Sequence, residues 1–188
     1  MTLPLTTVQG LIERAQAGDS AAFEELIGAH SLGLYRVVRR FCSDEAETEE
    51  VMQEAFWRTW RSLERYHNDR PFFPYLVTIA VRLVRDRWRK SKWLADETLD
   101  GLEQVLADGE PLPEEAAILQ EREWMLGQVL QALPQHYRVV IALRYQAGYS
   151  YEKIAEMMEI PLNTVRTYLY RAKQMLRRKM EEQGETDG

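Results

Sequence analysis

Apolar positions along this chain recur at intervals of three and four residues, and alternating strand-like segments are scarce. This spacing predicts helices throughout and therefore an all-α fold. A first helix is expected over residues 8–17 and ends at Gly18, after which Asp19 can cap the second helix. The apolar stripe of that second helix comprises Phe23, Leu26, Ile27, His30, Leu34, Val37, Val38 and Phe41.

A third helix is predicted over residues 44–63. Asp44 followed by Glu47 resembles a capping box, in which two side chains satisfy the unpaired amides at a helix start. The polar face carries Glu47, Glu50 and Glu54. The apolar stripe expected to face the core comprises Met52, Phe56, Trp60 and Leu63.

A loop over residues 64–74 separates that helix from a fourth, predicted over residues 75–93. Pro74 suits a first helical turn, because proline lacks the amide that is unpaired there. The core face of the fourth helix is predicted to comprise Leu76, Ile79, Ala80 and Leu83.

Residues 95–117 interrupt the helical pattern with glycine, proline and a cluster of acidic residues. The sequence therefore predicts two small helical domains joined by a flexible acidic linker. A helix is expected around residues 114–132, and Pro134 opens the next one. The predicted divisions are a first domain over 1–94, the linker over 95–117, a second domain over 118–182 and a polar tail over 183–188.

The second domain contains a short helix, a tight turn and a long basic helix. Ser150 can cap the short helix over residues 151–158, and a turn over residues 159–163 leads to a helix starting near Thr164. This layout is typical of a helix-turn-helix, whose second helix enters the major groove of DNA; a basic hairpin without a DNA role is the alternative. The expected buried stripe of the long helix comprises Val165, Leu169, Ala172 and Leu176.

The distribution of charge changes what the net charge of −6 implies. A negative total argues against nucleic acid as a partner, but residues 1–90 are neutral, residues 91–118 carry −7 and residues 119–188 carry +1. Six basic residues lie within residues 82–92 and six within residues 163–180. An acidic chain can therefore still present basic faces to DNA, although a charged run on its own is more often a solvated helix face.

Length and composition exclude several classes of protein. No apolar run approaches the length that crosses a bilayer, and the first residues lack the pattern of a signal peptide. Cys42 is the one cysteine among 188 residues, so an internal disulfide is excluded, and it is expected to be a small buried residue rather than a redox sensor. The three histidines are scattered, and no catalytic motif is present. We therefore predict no catalytic residue, no cofactor and no metal site.

Short motifs follow one another across nearly the whole chain, from about Ala17 to Lys179. In order they are Gly18-Asp19-x-x-Ala22-Phe23; the segment 49–56; Asp69-Arg70-Pro71-Phe72, Tyr75-Leu76-x-x-Ile79-Ala80 and Asp86-Arg87-x-Arg89; Leu133-Pro134-x-x-Tyr137-Arg138 and Gly148-Tyr149-Ser150-Tyr151-x-x-Ile154-Ala155; and Ile160-Pro161-x-Asn163-Thr164-Val165-Arg166-Thr167-x-Leu169-x-Arg171-Ala172. Their order and spacing resemble the extracytoplasmic-function (ECF) group of bacterial sigma-70 factors. The chain departs from the usual family residues at Tyr75, Arg82, Asn163 and Tyr168.

The resemblance implies a promoter-specificity subunit of RNA polymerase rather than an enzyme. Such a protein binds core polymerase, through the clamp helices of the β′ subunit and through the β subunit. Val51 offers an apolar contact beside the acidic side chains, which is needed because exposed ion pairs contribute only about 0–1 kcal/mol each. A solvated acidic face is the alternative. The implied polymerase-binding residues are Glu47, Glu50, Val51, Gln53 and Glu54.

Recognition of the −10 promoter element is implied for the loop over residues 64–74, which in the family receives a base flipped out of the stack. A basic track beside a polar pocket is the usual arrangement for capturing single-stranded DNA. Phe72 is expected to anchor the loop rather than to stack on a base, and Trp88 is expected to pack. The implied −10 residues are His67, Asn68 and Asp69 in the loop, with Arg82, Arg85, Arg89 and Lys90 on the helix behind it.

Recognition of the −35 element is implied for the second helix of the helix-turn-helix, where arginine can contact guanine edges with two hydrogen bonds. The acidic linker could mimic a polyanion inside the polymerase channels or could act only as a tether. The implied −35 residues are Arg166, Thr167, Tyr170, Arg171 and Lys173.

The expected partners are core RNA polymerase, promoter DNA and an anti-sigma factor, with no membrane insertion and no homo-oligomer. The expected location is the cytoplasm, either free or held at the membrane by the anti-sigma factor. A stand-alone helix-turn-helix regulator, which would bind paired half-sites as a dimer, is the alternative function.

Overall fold

The computed structural model of the chain describes residues 5–67, 70–90 and 130–184. Every regular element in these ranges is helical, which confirms the all-α prediction. The chain divides into two compact units, Met1–Val84 and Arg85–Gly188. The predicted linker over residues 95–117 lies outside the described residues, so its limits and those of the two predicted domains stay predictions.

The first unit is built from four helices that follow the predicted order. Asp19 accepts a hydrogen bond from the amide of Ala22 at 3.1 Å, and Asp44 accepts one from Glu47 at 2.8 Å, so both predicted caps are confirmed. The Glu47 carboxylate also accepts from the amide of Ser43 at 2.6 Å, which completes a capping arrangement. The elements are α1 (Leu5–Gln16), α2 (Ser20–Phe41), α3 (Glu45–Ser62), a 3₁₀ turn (Leu63–Arg65) and α4 (Phe72–Lys90).

The buried face of α3 differs from the predicted one. Trp60 is 39% exposed, and Met52 and Phe56 are half-buried; of the predicted stripe only Leu63 is fully buried. Two threonines occupy the core instead, because the hydroxyl of each donates to a carbonyl four residues earlier at 2.7 Å and leaves its methyl group free to pack. The buried residues of α3 are Thr48, Val51, Ala55 and Thr59.

The second unit contains the predicted helix-turn-helix. Ser150 accepts from the amide of Lys153 at 3.2 Å and caps the short helix, as predicted. Glu159 then adopts a left-handed conformation with φ of 52°, which ends that helix. The long helix begins two residues earlier than predicted, because the carbonyl of Pro161 accepts from the amides of Thr164 and Val165. The elements are α5 (Gln135–Ile141), a π-helical segment (Ala142–Gln146), α6 (Tyr151–Met158) and α7 (Leu162–Gly184).

The core of the second unit follows the predicted stripe of the long helix. Val165, Leu169, Ala172 and Leu176 are all buried. The short helix contributes Ile154, Met157 and Met158. The π-helical segment was not predicted, since one additional residue in a helical turn leaves the apolar spacing almost unchanged.

Asp19 is expected to make the stability of the first unit depend on pH in the acidic range. The bond from the Ala22 amide, and then the bonds from the Arg14 guanidinium at 2.6 and 2.9 Å, hold the pKa of Asp19 below its ordinary value of 3.8. Because this pKa is lower in the folded chain than in the unfolded chain, the stabilisation is complete above about pH 4 and is lost as pH falls through the folded value.

The variant Asp19→Asn tests this expectation, because asparagine caps helices well but cannot ionise. Urea unfolding should give the variant a lower free energy of unfolding than the wild type at pH 7, and the gap should narrow as pH falls below 3.8. Arg14→Gln removes the ion pair and retains the bond from Ala22, so its pH dependence should be intermediate. Parallel stability curves for wild type and Asp19→Asn would contradict the assignment.

Candidate functional site

The outward face of α3 carries most of the predicted acidic cluster. Glu50 and Gln53 are exposed, and Glu47 and Glu54 are half-buried on the same side of the helix. Glu54 forms an ion pair with Arg58 at 2.7 Å, which partly neutralises that end of the face. The structure therefore brings these four predicted side chains together on one surface, with Glu50 and Gln53 the most accessible.

Val51 does not belong to that surface. Its side chain is 0% exposed and packs in the core of the first unit, so the prediction that it offers an apolar contact to a partner is wrong. Valine follows the acidic residues in the chain, but the helical rotation of about 100° per residue turns it away from Glu50 and towards the interior.

Two tryptophans supply the exposed apolar area on α3 instead. Trp57 is 51% exposed, and the guanidinium carbon of Arg61 lies over its ring, 4.7 Å from the ring centroid. Trp60 packs against Phe23 with ring centroids 4.9 Å apart. Trp57 lies seven residues after Glu50, two turns along the same face, and this spacing was the sequence signal that could have identified it.

The segment after α3 is described only in part. His67 and Arg70 are exposed, and the Arg70 amide donates to the carbonyl of His67 at 3.4 Å. Asn68 and Asp69, two of the predicted −10 residues, lie outside the described residues.

An aromatic cluster supports this segment from below. Phe72 is buried. Its ring centroid lies 5.7 Å from that of Tyr66, in an edge-to-face arrangement, and 5.2 Å from that of His30. The hydroxyl of Tyr75 lies 2.6 Å from the hydroxyl of Ser62. The prediction that Phe72 anchors the loop is therefore confirmed, and Tyr75 ties the start of α4 to the end of α3.

The basic track on α4 is less uniform than predicted. Arg82 is exposed, whereas Arg85 is half-buried and forms an ion pair with Asp86 at 3.0 Å. The side chains of Arg89 and Lys90 lie outside the described residues. Of the four predicted cations, Arg82 is thus the one that the described structure places in solvent.

The outward face of α7 carries arginine and tyrosine side chains. Arg166 and Arg171 are exposed, and Tyr170 is 43% exposed between them. Lys173 is half-buried, with its ammonium 5.7 Å from the centroid of the Tyr145 ring, so its charge lies at the edge of this face.

Thr167 is not available on that face. It is 7% exposed, and its hydroxyl donates to the carbonyl of Asn163 at 2.9 Å. The sequence analysis placed Thr167 among the −35 residues, whereas the structure turns its side chain towards the interior of the second unit and uses its hydroxyl proton within the helix.

The short helix α6 adds an acidic group beside the basic face. The pKa of Glu152 is held below its ordinary value of 4.5, first by its own backbone amide and by Ser150, and also by the nearby charges of Arg166 and Arg144. The Glu152 carboxylate therefore stays ionised at neutral pH and attracts Arg166. Burial raises the pKa of Tyr149, which lies two residues before this helix, to about 12.

Within the described ranges, no group of histidine, cysteine, aspartate and glutamate side chains is arranged to hold a metal ion. Cys42 is buried at the end of α2, as the sequence predicted. No helix in the part of the chain that the structure describes is both long and apolar enough to span a bilayer.

Comparison with family models identifies two segments of the chain. Residues 18–94 match the model described as sigma-70 region 2, and residues 123–176 match the model described as sigma-70 region 4. The first match contains α3, the aromatic cluster and α4, and the second contains the helix-turn-helix.

Curated relatives match the chain over almost its whole length. The ECF RNA polymerase sigma factor SigW of Bacillus subtilis is 32% identical over 91% of this chain and 95% of its own. RNA polymerase sigma-H factor of Pseudomonas aeruginosa is 33% identical over 89% of this chain and 91% of its own. The ECF RNA polymerase sigma-E factor of Escherichia coli K12 is 29% identical over 93% of this chain and 95% of its own.

Solved structures share the fold. CnrH, solved in complex with the cytosolic domain of CnrY, superposes with a TM-score of 0.61 at 23% identity over 94% of this chain and 98% of that chain. RpoE of Bartonella quintana, solved with the anti-sigma factor NepR, superposes with a TM-score of 0.56 at 17% identity, over 85% of this chain and 96% of that chain.

Proposed function

The chain belongs to the ECF RNA polymerase sigma factors, and from this we propose that it binds core RNA polymerase and directs it to promoters by recognising −10 and −35 elements. Members of this family are transcription initiation factors rather than enzymes. The observation that supports the proposal most strongly is the coexistence of three surfaces in one short chain: an acidic and aromatic face on α3, the supported loop before α4 and the basic face of α7.

The α3 face is the proposed polymerase-binding surface. Carboxylates attract and orient a basic partner surface but add little affinity each, because exposed ion pairs are screened by water and salt. Affinity in interfaces comes mainly from large side chains that become desolvated, and tryptophan is foremost among them. We therefore assign the electrostatic part to Glu50, Gln53 and Glu54, with Glu47 beside them, and the apolar part to Trp57.

The loop before α4 is the proposed site for the −10 element. A base that leaves the duplex stack needs polar groups that bind its edge and cations that hold the phosphates on either side. His67 and Arg82 are exposed and fit these two roles. Asn68, Asp69, Arg89 and Lys90 remain part of the proposal on the basis of the sequence, and Arg85 is assigned a smaller part because Asp86 pairs with it.

The outward face of α7 is the proposed site for the −35 element. In a helix-turn-helix the residues near the start of the second helix contact base edges, and later cations contact phosphates. Arg166, Tyr170 and Arg171 occupy the exposed positions of the first turns. The negative charge of Glu152 lies close enough to Arg166 to interact with it. Lys173 is assigned to a phosphate.

Regulation by an anti-sigma factor is part of the proposal. RpoE of Bartonella quintana, which shares the fold, was solved with the anti-sigma factor NepR. A protein that covers the α3 face or the α7 face of this chain would block polymerase or DNA. We propose that the chain acts in the cytoplasm and that an anti-sigma factor holds it inactive there or at the membrane.

The domain organisation proposed for these roles is a region 2 domain over residues 1–94 and a region 4 domain over residues 118–182. The family matches over residues 18–94 and 123–176 support both. The acidic segment between them is proposed to act as a linker.

Transcription with purified components tests the proposed function. Core RNA polymerase alone and core polymerase with the full chain are supplied with a fragmented bacterial genome, and the run-off transcripts are sequenced. The proposal requires transcripts that depend on the chain and share two upstream elements. A stand-alone regulator would instead bind duplex DNA as a dimer without polymerase, so failure of the chain to join core polymerase in gel filtration would refute the proposal.

A further inference from the structure

The side-chain amide of Gln16, the last residue of α1, lies against the segment that follows α3. Its nitrogen Nε2 donates to the carbonyl of Leu63 at 2.9 Å and to the carbonyl of Tyr66 at 2.8 Å. Gln16 is half-buried, so water competes weakly for these bonds. The two hydrogens of one amide group therefore fix two backbone positions that are about fifty residues away in the chain.

The same segment is held again at its other end. The hydroxyl of Tyr66 donates to the carbonyl of Arg70, so the two residues that bracket the loop tip are joined directly. The Tyr66 ring lies 4.7 Å from the Tyr75 ring and 5.7 Å from Phe72, so α4 holds it in place. Gln16 therefore fixes the backbone of Tyr66, and the side chain of Tyr66 makes the connection to Arg70.

We propose that Gln16 is a positioning residue for −10 recognition. It holds the Tyr66 backbone in place, and Tyr66 in turn holds Arg70. The inference rests on the proposed function, in which this loop binds a base of the −10 element. A loop discriminates between bases only if its polar groups stay within a fraction of an ångström of their bonding positions. Gln16 supplies that constraint from a helix outside the loop and outside α4.

A role limited to stability predicts a different outcome. If the two bonds only strengthened the packing of α1, their loss would lower the activity on every promoter sequence by one factor. If they position the loop, their loss lowers the preference for the correct −10 base over the wrong ones. The ratio of affinities for matched and mismatched DNA therefore separates the two roles, whereas the total activity does not.

The test uses holoenzyme made from core polymerase and full-length Gln16→Met. Methionine has nearly the length and helix propensity of glutamine but cannot donate a hydrogen bond. The probes are forked promoter oligonucleotides whose single-stranded −10 segment carries each of the four bases at each position, so that duplex melting does not contribute. We expect the ratio of affinities for the preferred and other bases to fall about fivefold at one or two positions, as for loss of one net hydrogen bond.

Gln9→Met is the matched control, because Gln9 lies on the same helix and its exposed amide donates to the Glu13 side chain at 3.3 Å, away from the loop. It should retain the wild-type ratio. Tyr66→Phe is the second variant; it retains the ring in the aromatic cluster and removes the bond to Arg70, and it should lower the ratio at the same positions. If both Gln16→Met and Tyr66→Phe keep the wild-type ratio, Gln16 has no positioning role. A wild-type holoenzyme without any base preference would instead refute the proposed function itself.

Discussion

Trp57→Ala should weaken the binding of the chain to core RNA polymerase by about 2 kcal/mol, roughly thirtyfold, and should lower the free energy of unfolding by less than the about 3–5 kcal/mol that the loss of a fully buried tryptophan costs. Trp57 is 51% exposed and its ring lies under the Arg61 guanidinium, so folding buries only about half of it. A partner surface that covered it would remove a large aromatic area from water, which is where interfaces obtain most of their energy. Affinity measured by titrating labelled chain with core polymerase would give the value.

Val51→Ala should give the opposite result, and the pair of variants separates binding from folding. Val51 is fully buried, so the loss of two methyl groups and the cavity that remains should lower the free energy of unfolding by about 2 kcal/mol. At temperatures well below the unfolding midpoint its affinity for core polymerase should stay at the wild-type value.

Leu32→Ala provides the control for loss of exposed apolar area. Leu32 on α2 is even more exposed than Trp57 and lies outside the α3 face. Equal losses of affinity in Leu32→Ala and Trp57→Ala would mean that the contact is not specific to α3. A wild-type affinity in Trp57→Ala would place the polymerase-binding surface elsewhere on the chain.

The local features of both units could be predicted from the sequence because they depend on neighbouring residues. Asp19, Asp44 and Ser150 each cap a helix whose amides lie within three positions of the cap, so the residue type and the spacing are sufficient. The buried stripe of α7 was predicted for the same reason, since its leucine, valine and alanine residues recur with the helical period.

The inward face of α3 could not be predicted by the same rule. Apolar spacing pointed to Trp60, but threonine at 48 and 59 is neither clearly polar nor clearly apolar in a pattern, and its burial depends on a bond back to the helix. The buried face of α3 is determined by its packing against α2. The contacts of Gln16 could not be predicted at all, because they join segments far apart in the chain. A periodic pattern of apolar residues gives no information about such pairs.

In the candidate site, too, the sequence predicted the order of the elements better than it predicted which side chains are buried. The order of motifs predicted an acidic helix, a loop and a basic helix, and among the described residues most of the named side chains of α3 and α7 reach the surface. Val51 and Thr167 are the exceptions. In both cases the side chain is buried.

Arg171→Ala should lower the affinity for the −35 element by about 1–3 kcal/mol, a factor of roughly five to 150, and should also relax the preference at one base pair. Arg171 is exposed in the third turn of α7, on the same helix as Arg166, and the N-terminal part of a recognition helix enters the major groove. A guanidinium that bonds to two acceptors of one guanine discriminates against the other bases, so its loss is selective. Binding of holoenzyme to promoters with every single substitution in the −35 element would measure both effects.

Arg177→Ala is the matched control for this prediction, because Arg177 is an exposed arginine on the same helix two turns later, where a phosphate contact is expected. Its loss should weaken binding by one factor for all −35 sequences and should reduce the slope of log affinity against log salt concentration by about one. The comparison therefore separates base recognition from charge. If Arg171→Ala behaved like Arg177→Ala, with a uniform loss and a smaller salt slope, Arg171 would be a phosphate contact, and base recognition on this helix would fall to Arg166 and Tyr170.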